Sequence, residues 1–137
     1  MKPIILCIDD EKTILNSLKA QLKTALGDSF RFELAESAYE ALELIDELVK
    51  EGEVIVLIIS DWLMPGMKGD ELLTSLHGKF PGIIKILLTG QADKDAVENL
   101  YTHAKLYRCL TKPWSEQDLI NCIQSAIDYK SSAKQEK

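Results

Sequence analysis

Short apolar runs alternate along this chain with stretches of helical period. Ile4 to Ile8 is the first run and reads as a strand; Ile14, Leu15, Leu18, Leu22, Ala25 and Leu26 then recur at the spacing of one helix face. Phe30 to Ala35 alternates apolar and polar positions, as a strand near a sheet edge does. Ser37 with Glu40 reads as a capping box, and Ala38, Ala41, Leu42, Ile45 and Leu48 form the next apolar stripe. The third run, Val54 to Ile59, has no polar residue and calls for burial on both faces. Gly69 to Leu76 predicts a short helix and Ile83 to Leu88 a fourth strand. Asp93 to about His103 predicts a helix with Ala96, Val97 and Leu100 turned inward. Leu106 to Leu110 is a shorter fifth strand, and Ser115 with Asp118 opens a last helix that buries Leu119, Ile120, Ile123, Ala126 and Ile127. The closing KSSAKQEK has no apolar residue larger than alanine and reads as a frayed tail, a linker or a chain boundary.

Strands that alternate with helices imply an α/β doubly wound fold: a parallel five-stranded sheet, (βα)5, with right-handed crossovers and helices on both faces. No hairpin turn supports an antiparallel alternative, and no segment repeats another. In such sheets ligands bind beyond the carboxyl ends of the strands, where the strand order reverses.

Composition narrows this picture without changing it. At 137 residues, 46% hydrophobic and 28% charged, the chain fits one domain, expected over residues 1–130 with a polar tail or linker start over 131–137. A net charge of -6 with scattered Lys and Arg argues against direct nucleic-acid binding. No apolar run approaches the roughly 18 to 20 residues that span a bilayer, and no leader pattern opens the chain, so the expected location is cytoplasmic, with no membrane contact. Cys7, Cys109 and Cys122 are odd in number and lack CxxC spacing, which suggests reduced core thiols rather than a disulfide or zinc site. His77 and His103 have no ligand partner at helical spacing and read as ordinary surface or half-buried residues.

The polar residues that end the apolar strands carry the candidate chemistry. They are Asp9 and Asp10 after the first strand, Asp61 after the third, Thr89 after the fourth and Lys112 after the fifth. A parallel sheet puts all of them on one edge. Three carboxylates that close raise one another's pKa unless a cation joins them, and hard oxygen ligands favour Mg²⁺ or a similar ion such as Mn²⁺. A metal with open positions invites phosphate oxygens. Lys112 then supplies a compact positive charge, Thr89 a hydroxyl, and the small Gly90 an approach to backbone amides. With Asp61 as nucleophile the product is an acyl phosphate.

CIDDE, SDWLMPGMKGDEL, ILLTG and LTKPW, in that order and spacing, resemble the receiver domain of bacterial two-component response regulators. The resemblance covers essentially the whole chain, and its specificity lies in four pieces falling at four strand ends. It implies a flavodoxin-like sheet of order 2-1-3-4-5 and a phosphorylation-dependent signalling role. It implies that Asp61 is the phosphoacceptor, that Asp10 binds Mg²⁺ directly, that Asp9 acts largely through water, and that the Leu63 backbone carbonyl is a further ligand. The phosphoryl donor is then a phosphohistidine on a histidine kinase or phosphotransfer protein. Lys112 pairs with the phosphoryl oxygens, the Lys112-Pro113 bond is cis, and Thr89 swings inward to bond the phosphoryl group, displacing the neighbouring loop and helix. The downstream partner is an effector domain or protein, and homodimers form through the fourth helix, fifth strand and fifth helix.

Some positions depart from the family pattern or stay ambiguous. The aromatic usual three residues before the lysine is Cys109 here, which questions the ordinary two-residue switch of Thr89 with that aromatic. Tyr107 and Trp114 are the nearby substitutes; strand alternation places Tyr107 on the face of Cys109, and Trp114 belongs to another element. Trp114 also reads as an aromatic cover at a helix start, while KPW resembles receivers attached to kinases or cyclic-dinucleotide enzymes. Lys68 sits where many relatives are acidic and reads as a solvated loop charge. Leu63 and Gln91 occupy positions that in the family modulate attacking water; for Leu63, slower hydrolysis and simple packing stand equally. Three other readings compete with the signalling receiver: a phosphorylation-independent docking module of the same fold, an aspartate-nucleophile phosphohydrolase or phosphotransferase, and a domain whose strand-end charges are merely solvated. The expected chain is either a stand-alone receiver or one cut from a larger protein.

Overall fold

The computed structural model describes residues 2–90 and 93–135, with side chains followed to residue 131. Its strands are β1 (Ile4–Ile8), β2 (Arg31–Ala35), β3 (Ile55–Asp61), β4 (Ile84–Thr89) and β5 (Arg108–Thr111). Its helices are α1 (Lys12–Leu26), α2 (Ala38–Lys50), α3 (Gly69–Lys79), α4 (Lys94–His103) and α5 (Glu116–Gln135). All strand pairs are parallel and the order is β2-β1-β3-β4-β5, so the expected doubly wound α/β sheet is what forms.

Strand alternation sorts the core into two layers. Ile4, Leu6, Ile8, Ile58 and Leu87 pack with residues of α2, α3 and α4, while Ile5, Cys7, Leu57, Ile59, Ile86 and Leu88 pack with α1 and α5. The central strands are therefore apolar at nearly every position, as a sheet covered on both sides requires. The starts of α2, α4 and α5 are fixed by local side chains, whereas α1 and α3 have no side-chain cap. Ser37 Oγ accepts from the Glu40 amide at 3.0 Å, Asp93 Oδ1 from the Asp95 amide at 3.1 Å, and Ser115 Oγ from the Asp118 amide at 2.9 Å. The reciprocal arm of the expected capping box is displaced by one residue: Glu40 Oε2 accepts from the Glu36 amide rather than from Ser37.

Several boundaries differ from the sequence pattern for identifiable reasons. β3 begins at Ile55, leaving Val54 50% exposed and Val56 half-buried, and it continues through Asp61. α3 runs on to Lys79, three residues past its last buried leucine. Leu106 is buried but is not part of β5: its amide bonds the Leu100 carbonyl, so it plugs the end of α4, and β5 starts only at Arg108. α5 extends to Gln135, so the described part of the polar tail expected from residue 131 is helical. Residues 136–137 of that expected tail lie outside the described residues. None of the described helices is long and apolar enough to cross a membrane.

One core residue contradicts the apolar reading of β4. Lys85 is 1% exposed, and its Nζ donates to the Ile83 carbonyl at 2.8 Å and lies 3.2 Å from His77 Nδ1. Burial, then the charges of Lys130 and Lys105, bring its pKa down to about 8.

Candidate functional site

β1 and β3 lie side by side where the strand order reverses, so their carboxyl ends open onto one crevice. Asp9 follows β1 and is fully buried; its own amide donates to the Ala35 carbonyl at 3.1 Å. Its Oδ1 accepts from the Glu11 amide at 2.9 Å and its Oδ2 from Lys112 Nζ at 2.8 Å. Asp61, the last residue of β3, is 7% exposed; its Oδ1 accepts from the Trp62 amide at 2.9 Å and lies 3.2 Å from Lys112 Nζ. Asp10 is exposed at the crevice mouth. The sheet thus brings together carboxylate oxygens of Asp9, Asp10 and Asp61, all within 4.8 Å of one another.

The electrostatics are those of an acidic site with too little positive charge. Burial, followed by the charge of Asp9, pushes Asp61 up to about 6, against the opposing pull of Lys112 and the Trp62 amide. Burial works against the Lys112 ammonium, but its hydrogen bond to Asp9 and the charges of Asp61 and Asp9 outweigh that and raise its pKa. Three carboxylates against one nearby ammonium leave room for a divalent cation, and an all-oxygen donor set fits Mg²⁺ or Mn²⁺.

β4 and β5 supply the other wall. Thr89 is buried at the end of β4, and the Lys112 amide donates to its carbonyl at 2.8 Å. The Lys112-Pro113 peptide is cis, in agreement with the resemblance. Among the described residues, a Cβ at Gly90 would meet only Lys112 Cβ, at 3.9 Å.

The loop after Asp61 is fastened more tightly than its sequence announces. Ser60 Oγ donates to the Asp61 carbonyl at 2.9 Å, and the Gly69 amide donates to the Trp62 carbonyl at 2.7 Å. A Cβ on Gly69 would lie 1.9 Å from the Asp61 carbonyl oxygen, so only glycine fits this approach. Trp62 Nε1 donates to Asp70 Oδ1 at 3.1 Å. Sequence reasoning missed Trp62, Asp70 and the steric role of Gly69, because these contacts join residues about eight apart across a loop of no regular period.

The remaining candidates are placed as follows. Leu63 is 51% exposed in the loop, so core packing does not account for it. Lys68 is exposed, as a solvated charge should be. Gln91 lies outside the described residues. Cys109 pairs in register with Leu87, two positions before Thr89, and packs partly buried against the layer of α2, α3 and α4. Tyr107 is on the opposite layer: its hydroxyl shares a hydrogen bond with Ser125 Oγ of α5, and its ring lies 5.7 Å from that of Tyr129. The expected sharing of a face by Tyr107 and Cys109 fails because Tyr107 precedes β5, so strand alternation does not reach it. Trp114 is also on the α1 and α5 side, its Nε1 donating to Gln21 Oε1 at 2.8 Å. Neither ring takes the aromatic position that Cys109 vacates.

Comparison with known proteins agrees with this geometry. The family model for the response regulator receiver domain matches residues 5–124. Among curated proteins, the hydrogenase transcriptional regulatory protein HoxA of Cupriavidus necator is 27% identical over 90% of this chain and 24% of its own length. The sensor kinase CckA of Brucella abortus is 34% identical over 69% of this chain and 10% of its own. The chain thus spans about a quarter or less of these relatives. Among solved structures, the signal receiver domain of an HD domain-containing protein from Pseudomonas fluorescens Pf-5 superposes with a TM-score of 0.84 at 30% identity, covering 96% of this chain and 99% of that one. A CheY-like receiver domain protein from Methanospirillum hungatei JF-1 does so with 0.84 at 29% identity, covering 97% and 99%.

Proposed function

Since the chain belongs to the response regulator receiver domain family, we propose that it is a phosphorylation-dependent signalling receiver whose phosphoacceptor is Asp61. The observation that carries this reading is the convergence of Asp9, Asp10, Asp61 and Lys112 at the crevice. An Asp61 carboxylate oxygen attacks phosphorus; the new O–P bond forms as the N–P bond to a kinase or phosphotransfer-protein histidine breaks, and the released imidazole regains its proton from solvent. Asp9, Asp10, Asp61 and the Leu63 carbonyl would hold a Mg²⁺ or Mn²⁺, which would supply positive charge against the transferring group. Lys112 compensates the phosphoryl oxygens from the other side, and Thr89 turns its hydroxyl toward them, which biases the β4–α4 connection. The protein catalyses only its own phosphorylation and dephosphorylation. It acts in the cytoplasm on an output domain or separate partner, dimerises through α4, β5 and α5, and makes no direct contact with nucleic acid; sedimentation that stays monomeric with and without phosphorylation counts against the dimer.

Incubation with acetyl phosphate, with and without Mg²⁺, followed by intact mass, tests the central claim. A Mg²⁺-dependent phosphoryl adduct on wild type that is absent from Asp61→Asn supports it. The second reading, a phosphorylation-independent docking module, is favoured by Cys109 itself, which stands in β5 where the family's switch aromatic is usual; a wild type that takes no adduct while a control receiver is modified selects it.

A further inference from the structure

The loop that carries the acceptor is held by a side chain outside the acidic cluster. Trp62 uses each of its polar groups for this purpose. Its amide N–H donates to Asp61 Oδ1 at 2.9 Å, its carbonyl accepts from the Gly69 amide at 2.7 Å, and its indole Nε1–H donates to Asp70 Oδ1 at 3.1 Å. The first bond acts on the carboxylate itself. The second and third fix the Trp62 backbone to the first turn of α3, where both Gly69 and Asp70 lie. The indole is half-buried against the α2, α3 and α4 layer, so its position is set by packing as well as by the hydrogen bond.

We propose that Trp62 is the positioning residue for Asp61, its indole pinned to Asp70 so that its backbone amide holds one carboxylate oxygen in a fixed orientation for phosphoryl transfer. The proposal rests on the assignment of Asp61 as phosphoacceptor and adds to it the source of the carboxylate's orientation. A freely rotating carboxylate would have to be ordered in each encounter with a phosphodonor. The amide and Lys112 together order one oxygen, Oδ1, in advance. The amide can do this only while its peptide plane is fixed, and no regular secondary structure fixes it: Trp62 lies between the end of β3 and the start of α3. The Asp70 bond supplies what β3 does not.

The test compares Trp62→Phe, which keeps a buried ring and loses the N–H donor, Asp70→Ala, which loses the acceptor, and the double variant. In metal-free protein, amide hydrogen exchange at Trp62 and Gly69 is expected to accelerate about 3- to 10-fold in each single variant, the range a net hydrogen bond of about 0.5 to 1.5 kcal/mol gives. With saturating Mg²⁺, the rate of adduct formation from acetyl phosphate should fall by a similar factor. The double variant should be no slower than either single one, since both remove the same bond. Asp70→Asn, which retains a carbonyl acceptor, should restore much of the rate.

Unchanged exchange at Trp62 and Gly69 overturns the pin. Faster exchange with an adduct rate within twofold of wild type overturns its role in transfer and leaves a structural bond only, which a lowered melting temperature alone would also report. Losses that multiply in the double variant overturn the claim that the two residues act together. A wild type that forms no adduct removes the reaction on which the proposal rests, and the exchange measurement distinguishes that failure from failure of the pin.

Discussion

Asp61 sits between competing demands: buried beside Asp9, it is unfavourable when ionised, yet ionisation is what a metal or a phosphorus centre requires of it. In metal-free protein its folded pKa of about 6 stands above the unfolded value of about 4, so the folded state binds the extra proton between those pH values. The stability from that proton is fully present below about pH 4 and is lost as pH rises through 6. Replacing Asp61 with Asn removes the charge, so metal-free Asp61→Asn should match wild type near pH 4 and exceed it by about 1 to 3 kcal/mol above pH 7. Urea unfolding in chelator at both pH values measures this; added Mg²⁺ should raise wild-type stability and leave the variant nearly unmoved. Gly69 makes an independent point at the same scale. Its missing Cβ admits the Asp61 carbonyl, which is backbone and cannot step aside, so Gly69→Ala should destabilise by about 3 kcal/mol in urea unfolding.

At the scale of elements, the fold was legible because apolar periodicity and caps act locally. The Ser37 hydroxyl on the Glu40 amide is visible in the sequence and present in the structure, and Ser37→Ala should lower stability by about 1 kcal/mol, read as a reduced urea midpoint with unchanged slope. The strand-end residues Asp9, Asp10, Asp61, Thr89 and Lys112 were legible for a related reason: each breaks an apolar run, and topology does the gathering. What stayed hidden depends on partners distant along the chain or on irregular backbone. Leu106 looks like strand but closes α4; Tyr107 leaves the face that alternation assigns it; Lys85 is buried where a charge is not expected, because Ile83 and His77 receive its ammonium. Trp62 and Asp70 meet across a turn that neither period describes.

For the whole molecule, the question is which part can move when the crevice changes charge. The α1 and α5 layer is cross-tied by Trp114 to Gln21 and by Tyr107 to Ser125, and α1 alone buries Leu15, Leu18 and Leu22. α2 and α3 each bury several side chains as well. α4 buries only Leu100, it follows Thr89 of the crevice along the chain, and its half-buried Val97 lies in the same layer as Cys109 of β5. A helix held by so little buried surface is the element whose position a coupling of about 1 to 3 kcal/mol can shift. Hydrogen exchange of the protein with and without the Asp61 phosphoryl group should therefore change in α4 and at Cys109, while α1 and the Tyr107 to Ser125 contact stay as they were. Changes spread equally over α1 and α5 would show that both layers move as one body. An exchange pattern indifferent to the phosphoryl group would mean that occupancy of the crevice is not transmitted, and that the vacated aromatic position uncouples Thr89 from the rest of the sheet.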